Sequence, residues 1–215
     1  SDHISPELYG RVSAAFTALG MEEEAIQLMK PWALANGLTV YISGDDTTGS
    51  NAMAIDVYLN SMCSWAEIPV EGIESYALQG NIFDTLSPEY QELYLDAAVS
   101  LYEAQLEGAE PDPAIAAAAE ANEQTMQAMF AAWKARDPEA FGASYSKEAI
   151  VNSEDELNSR LFTDRDPGMI EAAARYLEQE GENTFFLAVG AGHMADPGGI
   201  VSGLRALGYT VELVP

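Results

Sequence analysis

The stretch Thr184-Phe-Phe-Leu-Ala-Val-Gly-Ala-Gly-His193 decides the fold prediction for this chain. Its five apolar residues, Phe185 to Val189, run into a glycine-rich turn that ends on one of only two histidines in the sequence. An amphipathic segment, Ile200 to Leu207, and a second apolar run, Tyr209 to Val214, follow. The order strand, turn, helix, strand predicts a right-handed βαβ unit with parallel strands. Because ligands of open α/β sheets bind beyond the carboxyl ends of the strands, His193 is the first candidate for a functional residue.

The rest of the chain is predicted to be mostly helical. Ser-Pro-Glu occurs at residues 5–7 and again at 87–89, and each copy combines a hydroxyl N-cap with a proline at the first helical position. The alanine-rich segment 114–135 has a composition that strongly favours helix. Residues 68–73 are predicted to form a short strand. We therefore predict one α/β (α+β-like) domain over residues 1–215, rich in helix, with a small and mostly parallel sheet.

The composition limits the classes of partner. The chain has 9 basic and 35 acidic residues, a net charge of −26, and 48% apolar residues. The apolar content is that of a folded protein, and the acidity argues against binding to nucleic acid or to an anionic membrane. A cationic ligand, a metal ion, or a strongly solvated acidic surface fits better.

Targeting and membrane signals are few. Cys63 is the one cysteine, so an internal disulfide is excluded. No run of 18 apolar residues occurs, which predicts no transmembrane segment. The chain opens without the pattern of a signal peptide, and its first residues lie close to a helix start, as expected for a fragment of a longer protein.

Three residues carry the chemistry that the sequence suggests. The imidazole of His193 can ligate a metal ion or accept a proton. Glu74 ends a predicted strand, so parallel strands would bring its carboxylate to the sheet edge that holds His193, and such a pair suits metal binding or acid–base catalysis. Arg165, one of the few basic residues, can bind a substrate carboxylate or orient Glu74.

Each of these residues also has a purely structural interpretation. A lone histidine often satisfies a backbone group at a turn. A glutamate at this point can cap the helix that follows it. An arginine flanked by Asp164 and Asp166 can form a surface ion pair with either.

The glycine-rich turn permits a second functional interpretation. Residues 190–195 match the pattern G-x-G-x-x-G/A, and Glu212 lies 20 residues beyond Gly192, as in dinucleotide-binding folds. The helical middle of the chain does not supply the alternating strands of such a fold. Asp196-Pro197 also starts the next helix too late to meet a pyrophosphate. A dinucleotide site is therefore the weakest of the functional hypotheses.

Other apolar features are expected to be structural. Met126, Met129, Phe130 and Trp133 form a stripe at helical spacing, which predicts core rather than a ligand pocket. Cys63 is expected to be a buried thiol.

The chain resembles the TraB/GumN family, which is related to the Tiki proteases. Phe186-Leu-Ala-Val-Gly-Ala-Gly-His-Met194 is similar to the strand and G-x-x-H motif of the family, and Gly203-Leu-Arg-Ala-Leu-Gly-Tyr-Thr-Val211 to its closing helix and strand. Ile55-Asp-Val-Tyr-Leu59 and Ile68-Pro-Val-Glu-Gly-Ile-Glu74 also fit, as do Ser5-Pro-Glu-Leu-Tyr9 and Lys30-Pro-Trp-Ala-Leu34. The resemblance also favours helix for residues 32–43.

The resemblance implies a metal-dependent hydrolase that acts on peptide bonds, located in the bacterial envelope or outside the cell. His193 and Glu74 would then bind a divalent ion such as Mn²⁺ or Co²⁺, or Glu74 would activate a water, and Arg165 would stabilise the substrate or orient Glu74. A non-catalytic protein that binds a peptide, another small molecule or a haem-like ligand on the same fold is the alternative.

The chain departs from the family pattern at two places. A further strand with a G-x-x-H motif, which the family has before the Ser-Pro-Glu helix, does not occur in this sequence, so the chain is expected to be an N-terminally truncated domain that lacks part of the site. An arginine–asparagine pair of the family appears here as Arg165-Asp166.

Overall fold

The computed structural model describes residues 3–42, 53–107 and 113–214, and every regular element within these ranges is a helix. The helices, in chain order, are α1 Pro6–Ala18, α2 Glu23–Leu28, α3 Pro31–Ile42, α4 Ile55–Trp65, α5 Tyr76–Asp84, α6 Pro88–Glu107, α7 Pro113–Ala135, α8 Pro138–Ser144, α9 Lys147–Val151, α10 Glu156–Phe162, α11 Asp166–Leu177, α12 Ala191–Met194 and α13 Ile200–Ala206.

Several helices begin where the sequence supplies a side chain to cap them. Ser87 Oγ accepts a hydrogen bond of 3.2 Å from the backbone N–H of Tyr90 at the start of α6. Asp137 and Asp155 cap α8 and α10 in the same way. Ser5 stands at the N-cap of α1 in an extended conformation but makes no capping bond with its side chain. Pro6 follows it in the first turn, where a missing N–H costs nothing.

Internal contacts divide the chain into two compact units. The first comprises Ser1–Ala52 and Phe83–Ala121. Within it, α6 packs against α3 and α1, and α1 packs against α2. Their shared apolar core consists of side chains that are almost completely removed from water, among them Val12, Ile26, Leu38, Leu95 and Val99. This unit is a helical assembly with its own core.

The second unit comprises Met53–Ile82 and Asn122–Pro215 and holds all three predicted site residues. Helix α11 packs against α13, which also contacts α12, and α9 contacts both α8 and α10. Its apolar core is smaller: Met169, Ala173 and Ile200 form one buried cluster, and Ala132, Phe141 and Ala195 form another. Whether the two units fold as the single predicted domain stays a prediction.

The predicted α/β fold is wrong for the described residues, in which no strand occurs. The two strands of the expected βαβ unit, residues 185–189 and 209–214, are not formed, and neither segment contains a regular element. Residues 68–73 likewise form no strand. The helix predicted between the two strands is confirmed, because residues 200–206 form α13.

The physical reason is that alternation is a local property, whereas a sheet requires backbone pairing. Leu187 and Val189 pack against the cluster formed by α11 and α13, whereas Phe186 and Ala188 are exposed, so the side chains do alternate with a period of two. In the described residues, however, no backbone hydrogen bond joins this segment to 68–73 or to 209–214. Without such a ladder, the segments do not form a sheet.

Helix predictions were more successful, whereas predictions of burial were mixed. Residues 32–42 are helical, as the resemblance favoured, within α3, and residue 43 lies outside the described part. The predicted core stripe on α7 is wrong for three of its members: Met126, Phe130 and Trp133 are 56%, 56% and 59% exposed. Cys63 is only half-buried, in a helix with no buried residue.

No helix in the described part of the chain has the length and apolarity that a bilayer crossing needs.

Candidate functional site

Two adjacent residues at the start of α11 contact the other two predicted site residues. Arg165 is the N-cap of this helix and Asp166 is its first residue. Arg165 binds Glu74, and Asp166 contacts His193. Two adjacent residues therefore connect the segment that precedes α5 with the short helix α12.

Asp166 and His193 form a buried pair. Their contact joins Asp166 Oδ1 to His193 Nδ1 at 2.6 Å, and the two side chains are only 5% and 10% exposed. The pair lies at the N-terminus of α11, where the helix dipole favours a negative carboxylate. An imidazole held in this way by a carboxylate has a fixed ring orientation.

Lys147 extends this pair to a line of three charged or polar side chains. Its Nζ lies 3.1 Å from Asp166 Oδ2 and 2.6 Å from the backbone oxygen of Ala195, and the side chain is fully buried. A buried ammonium is costly unless it is paired and hydrogen-bonded, and here it is both. Lys147 therefore connects the first turns of α9 and α11 with the residue that follows α12.

Aromatic rings cover one side of these polar residues. The Phe162 ring lies 4.9 Å from Lys147 Nζ and 5.4 Å from the His193 ring, measured to ring centroids. Tyr145 packs against Phe162 and donates a hydrogen bond of 3.3 Å from its hydroxyl to the backbone oxygen of Gly192. Burial, together with the nearby negative charge of Asp166, raises the pKa of Tyr145 to about 12.

Gly192 of the G-A-G-H segment is required by this packing. A Cβ at this position would lie 3.0 Å from the Phe162 ring and 3.3 Å from the Tyr145 hydroxyl. Both distances are shorter than ordinary van der Waals contacts, so a side chain would push the rings away. The absence of a side chain at Gly192 therefore allows the two aromatic rings to pack against the backbone beside His193.

Glu74 and Arg165 form a second ion pair. Arg165 Nε donates to Glu74 Oε1 at 2.9 Å and Nη2 donates to Oε2 at 2.6 Å. The hydrogen bonds from Arg165 are the main cause that lowers the pKa of Glu74, partly opposed by burial and assisted by Gln79 and by the charge of His193. Glu74 is therefore an ionised carboxylate whose two oxygens are both already engaged.

The second nitrogen of His193 is the one left for chemistry. The described residues contain no fully buried side-chain nitrogen or oxygen without a hydrogen-bond partner. His193 makes its hydrogen bond through Nδ1, and the described residues give Nε2 no hydrogen-bond partner. A nitrogen left without a protein partner on a carboxylate-held ring can accept a proton or donate a lone pair.

The described residues do not by themselves make a metal centre. Among them, no group of three or more His, Cys, Asp or Glu side chains is arranged to hold an ion. Both oxygens of Glu74 accept hydrogen bonds from Arg165. The metal pair predicted from the sequence, His193 with Glu74, stays a prediction.

Sequence reasoning identified three residues of this site and missed the others. Glu74, Arg165 and His193 lie in the same unit, and Arg165 pairs with Glu74 rather than with Asp164 or Asp166. Lys147 was not predicted to belong to the site. The one signal for it in the sequence is that basic residues are rare, with 9 in the whole chain. Asp166 was predicted as a surface partner of Arg165 and as the counterpart of a family asparagine, not as a partner of His193.

The dinucleotide hypothesis loses its structural basis. It requires a strand before Gly190, and residues 184–190 form none. The glycines instead lead into α12, a helix of four residues.

A search against family models gives one assignment for this chain. The model of the TraB/PrgY/gumN family matches residues 1–213, nearly the whole sequence. Comparisons with curated proteins and with solved structures found no significant match. The family match covers both compact units and every residue of the site described above, and on this basis the chain belongs to the TraB/PrgY/gumN family.

Proposed function

We propose that this TraB/PrgY/gumN protein is a hydrolase of peptide bonds in which His193 is the catalytic residue. The observation that carries the proposal is the 2.6 Å contact between Asp166 Oδ1 and His193 Nδ1 in a buried setting, which leaves Nε2 without a partner among the described residues. Carboxylate-held imidazoles with one accessible nitrogen are typical proton acceptors in hydrolytic sites.

The proposed reaction needs one water and one proton acceptor. Nε2 of His193 takes a proton from the water while the water oxygen bonds to the carbonyl carbon of the substrate. The same proton then passes to the amide nitrogen as the C–N bond breaks, so the imidazole returns to its starting state.

Arg165 is proposed to contact the substrate. Its Nε and Nη2 donate to Glu74, whereas Nη1 takes no part in that pair. A guanidinium fixed on one side by a carboxylate is well placed to donate its remaining N–H groups to a carbonyl or carboxylate oxygen. In this account Glu74 orients Arg165.

A divalent ion such as Mn²⁺ or Co²⁺ would supply polarisation of the carbonyl and a more acidic water when bound. Among the described residues, no group of three or more His, Cys, Asp or Glu side chains is arranged to hold it, and no step above passes through it.

A peptide-cleavage assay in the presence and absence of added Mn²⁺ tests this proposal. A mixture of unstructured peptides, analysed by mass spectrometry, reports cleavage without assuming a substrate sequence. We expect cleavage by the wild type and a loss of about 100-fold or more in His193→Ala, because proton transfer by a positioned side chain contributes roughly 10²- to 10⁴-fold. Equal cleavage by both proteins would rule out His193 as the catalytic residue.

The alternative function is non-catalytic binding of a peptide, another small molecule or a haem-like ligand. It is favoured by one observation: Glu74, the carboxylate expected to activate water, has both oxygens bound by Arg165. In that case Arg165→Met would abolish peptide binding in calorimetry, and no cleavage would be seen in any variant. Under either function, we propose that the protein is located in the bacterial cell envelope or outside the cell.

A further inference from the structure

The fully buried Lys147 has no role in the reaction proposed above. Its ammonium group has three N–H donors, and its surroundings present Asp166 Oδ2 at 3.1 Å, the backbone oxygen of Ala195 at 2.6 Å and the face of the Phe162 ring at 4.9 Å. A side chain that only filled space would be better served by an apolar residue, because burial of a charge is costly.

The two oxygens of Asp166 face different neighbours. Oδ2 lies against the Lys147 ammonium, which can only donate, and Oδ1 lies against His193 Nδ1. Lys147 approaches from α9 and His193 from α12, so the carboxylate is held from two sides. Its rotation about the Cβ–Cγ bond is therefore fixed by the lysine as well as by the histidine.

From this geometry we infer that Lys147 is a positioning residue that orients Asp166 and thereby selects the tautomer of His193 with the proton on Nδ1. An ionised carboxylate oxygen only accepts hydrogen bonds, so the 2.6 Å contact requires an N–H at Nδ1. The lone pair of the neutral ring then lies on Nε2, the nitrogen that has no hydrogen-bond partner among the described residues.

Asp166→Asn distinguishes this role from simple packing. An asparagine of the same shape has one oxygen and one NH₂ group. The Lys147 ammonium needs an acceptor, so the amide oxygen must turn towards Lys147 and the NH₂ group towards His193 Nδ1. His193 Nδ1 must then accept, and the proton moves to Nε2. The lysine thus determines the histidine tautomer through the orientation of residue 166.

The tautomer can be read directly from the nitrogen chemical shifts of ¹⁵N-histidine in solution NMR, recorded in alkaline buffer. The chain has two histidines, so the spectrum contains few signals, and His3→Ala assigns them. We expect proton-bearing Nδ1 and bare Nε2 in the wild type, the opposite pattern in Asp166→Asn, and a mixture of the two tautomers in Asp166→Asn combined with Lys147→Met. Lys134→Met, which removes the same charge from an exposed position, should leave the signals of His193 unchanged.

Two results would overturn the inference. One is a wild-type His193 with its proton on Nε2, a measurement that needs no variant and so does not depend on any variant folding. The other is an Asp166→Asn protein that is folded by circular dichroism and keeps the proton on Nδ1.

The effect of this positioning on catalysis can be measured as well, and this part of the inference rests on the proposed hydrolase function. Residues that orient a functional histidine typically contribute about 10- to 100-fold. We expect Asp166→Asn to lower kcat by about that factor with little change in KM, because substrate contacts are left intact. If no protein cleaves peptides, the hydrolase proposal fails, whereas the NMR result still decides the role of Lys147.

Discussion

Arg165 and Glu74 lie 91 residues apart in the sequence and form an ion pair with three hydrogen bonds, one of 2.9 Å at Oε1 and two of 3.2 Å and 2.6 Å at Oε2. The side chain of Glu74 is 7% exposed and that of Arg165 is 16% exposed. Because the residue after Arg165 is the one that contacts His193, this ion pair lies next to the Asp166–His193 pair at the start of α11.

Removal of the arginine should destabilise the fold more than removal of an exposed arginine does. Arg165→Met leaves the Glu74 carboxylate largely buried without its cation, and loss of one partner of a buried pair typically costs about 3 kcal/mol. Urea unfolding monitored by circular dichroism measures this cost. Arg175→Met, an exposed position on the same helix, is the control and should change the free energy of unfolding by less than about 0.5 kcal/mol. Equal effects of the two substitutions would contradict the importance of the pair.

The same pair should make stability depend on pH on the acid side. The hydrogen bonds from Arg165 lower the pKa of Glu74 in the folded protein. A group with a lowered folded-state pKa stabilises the protein above its unfolded-state pKa, and this contribution is lost as pH falls through the folded-state pKa. Urea unfolding at a series of pH values from neutral downwards should therefore show a smaller acid loss in Glu74→Gln than in the wild type.

The matched control for this pH series is Glu171→Gln, an exposed glutamate on α11. It removes the same charge, so it separates a specific effect of Glu74 from that of net charge, which is −26. An acid loss in Glu74→Gln as steep as that of the wild type would be inconsistent with an ionised, arginine-bound Glu74.

Tyr145 should titrate separately from the exposed tyrosines. Burial and the charge of Asp166 raise its pKa from 10.0 to about 12. An absorbance titration near 295 nm should lose its most alkaline step in Tyr145→Phe. With a raised folded-state pKa, the phenol stabilises the protein below about pH 10, and this contribution disappears as pH rises towards 12. A wild-type titration with no step above that of ordinary tyrosines would contradict the burial of this hydroxyl.

Gly203 should not tolerate a methyl group. A Cβ on this residue of α13 would lie 2.4 Å from Cδ1 and 2.7 Å from Cγ1 of Ile170 on α11. We expect Gly203→Ala to cost about 1–3 kcal/mol, the usual range for overpacking, and Ile170→Val in the same chain to restore part of it. Gly168→Ala, with open space around its Cβ, is the control and should be neutral or slightly stabilising. Thermal unfolding of the four proteins tests the packing of α11 on α13.

The sequence predicted the helices well because N-caps and residue composition, which favour a helix, act within the helix itself. The serine before Pro88 caps α6, and the alanine-rich segment forms α7. The expected strands failed for the opposite reason. Leu187 and Val189 do face the helices while Phe186 faces outwards, but strand formation depends on a pairing partner, which the alternation of one segment does not specify.

The sequence likewise indicated some residues of the candidate site but not the contacts between them. His193, Glu74 and Arg165 were recognisable because each lies at a segment boundary. The link from Lys147 to Asp166 spans 19 residues and that from Asp166 to His193 spans 27, and both arise from the packing of short helices around Phe162. A flanking arginine made Asp166 look like a surface ion-pair partner, whereas in the structure it is buried beside the histidine.

Cleavage of an unstructured peptide mixture by the wild type, His193→Ala and His3→Ala tests the central claim most directly. His3 is exposed and lies in the other compact unit, so its substitution controls for the loss of a histidine as such. The account predicts cleavage by the wild type and by His3→Ala, and a decrease of about 100-fold or more in kcat/KM for His193→Ala. Undiminished cleavage by His193→Ala, or no cleavage by the wild type with or without Mn²⁺, would contradict it.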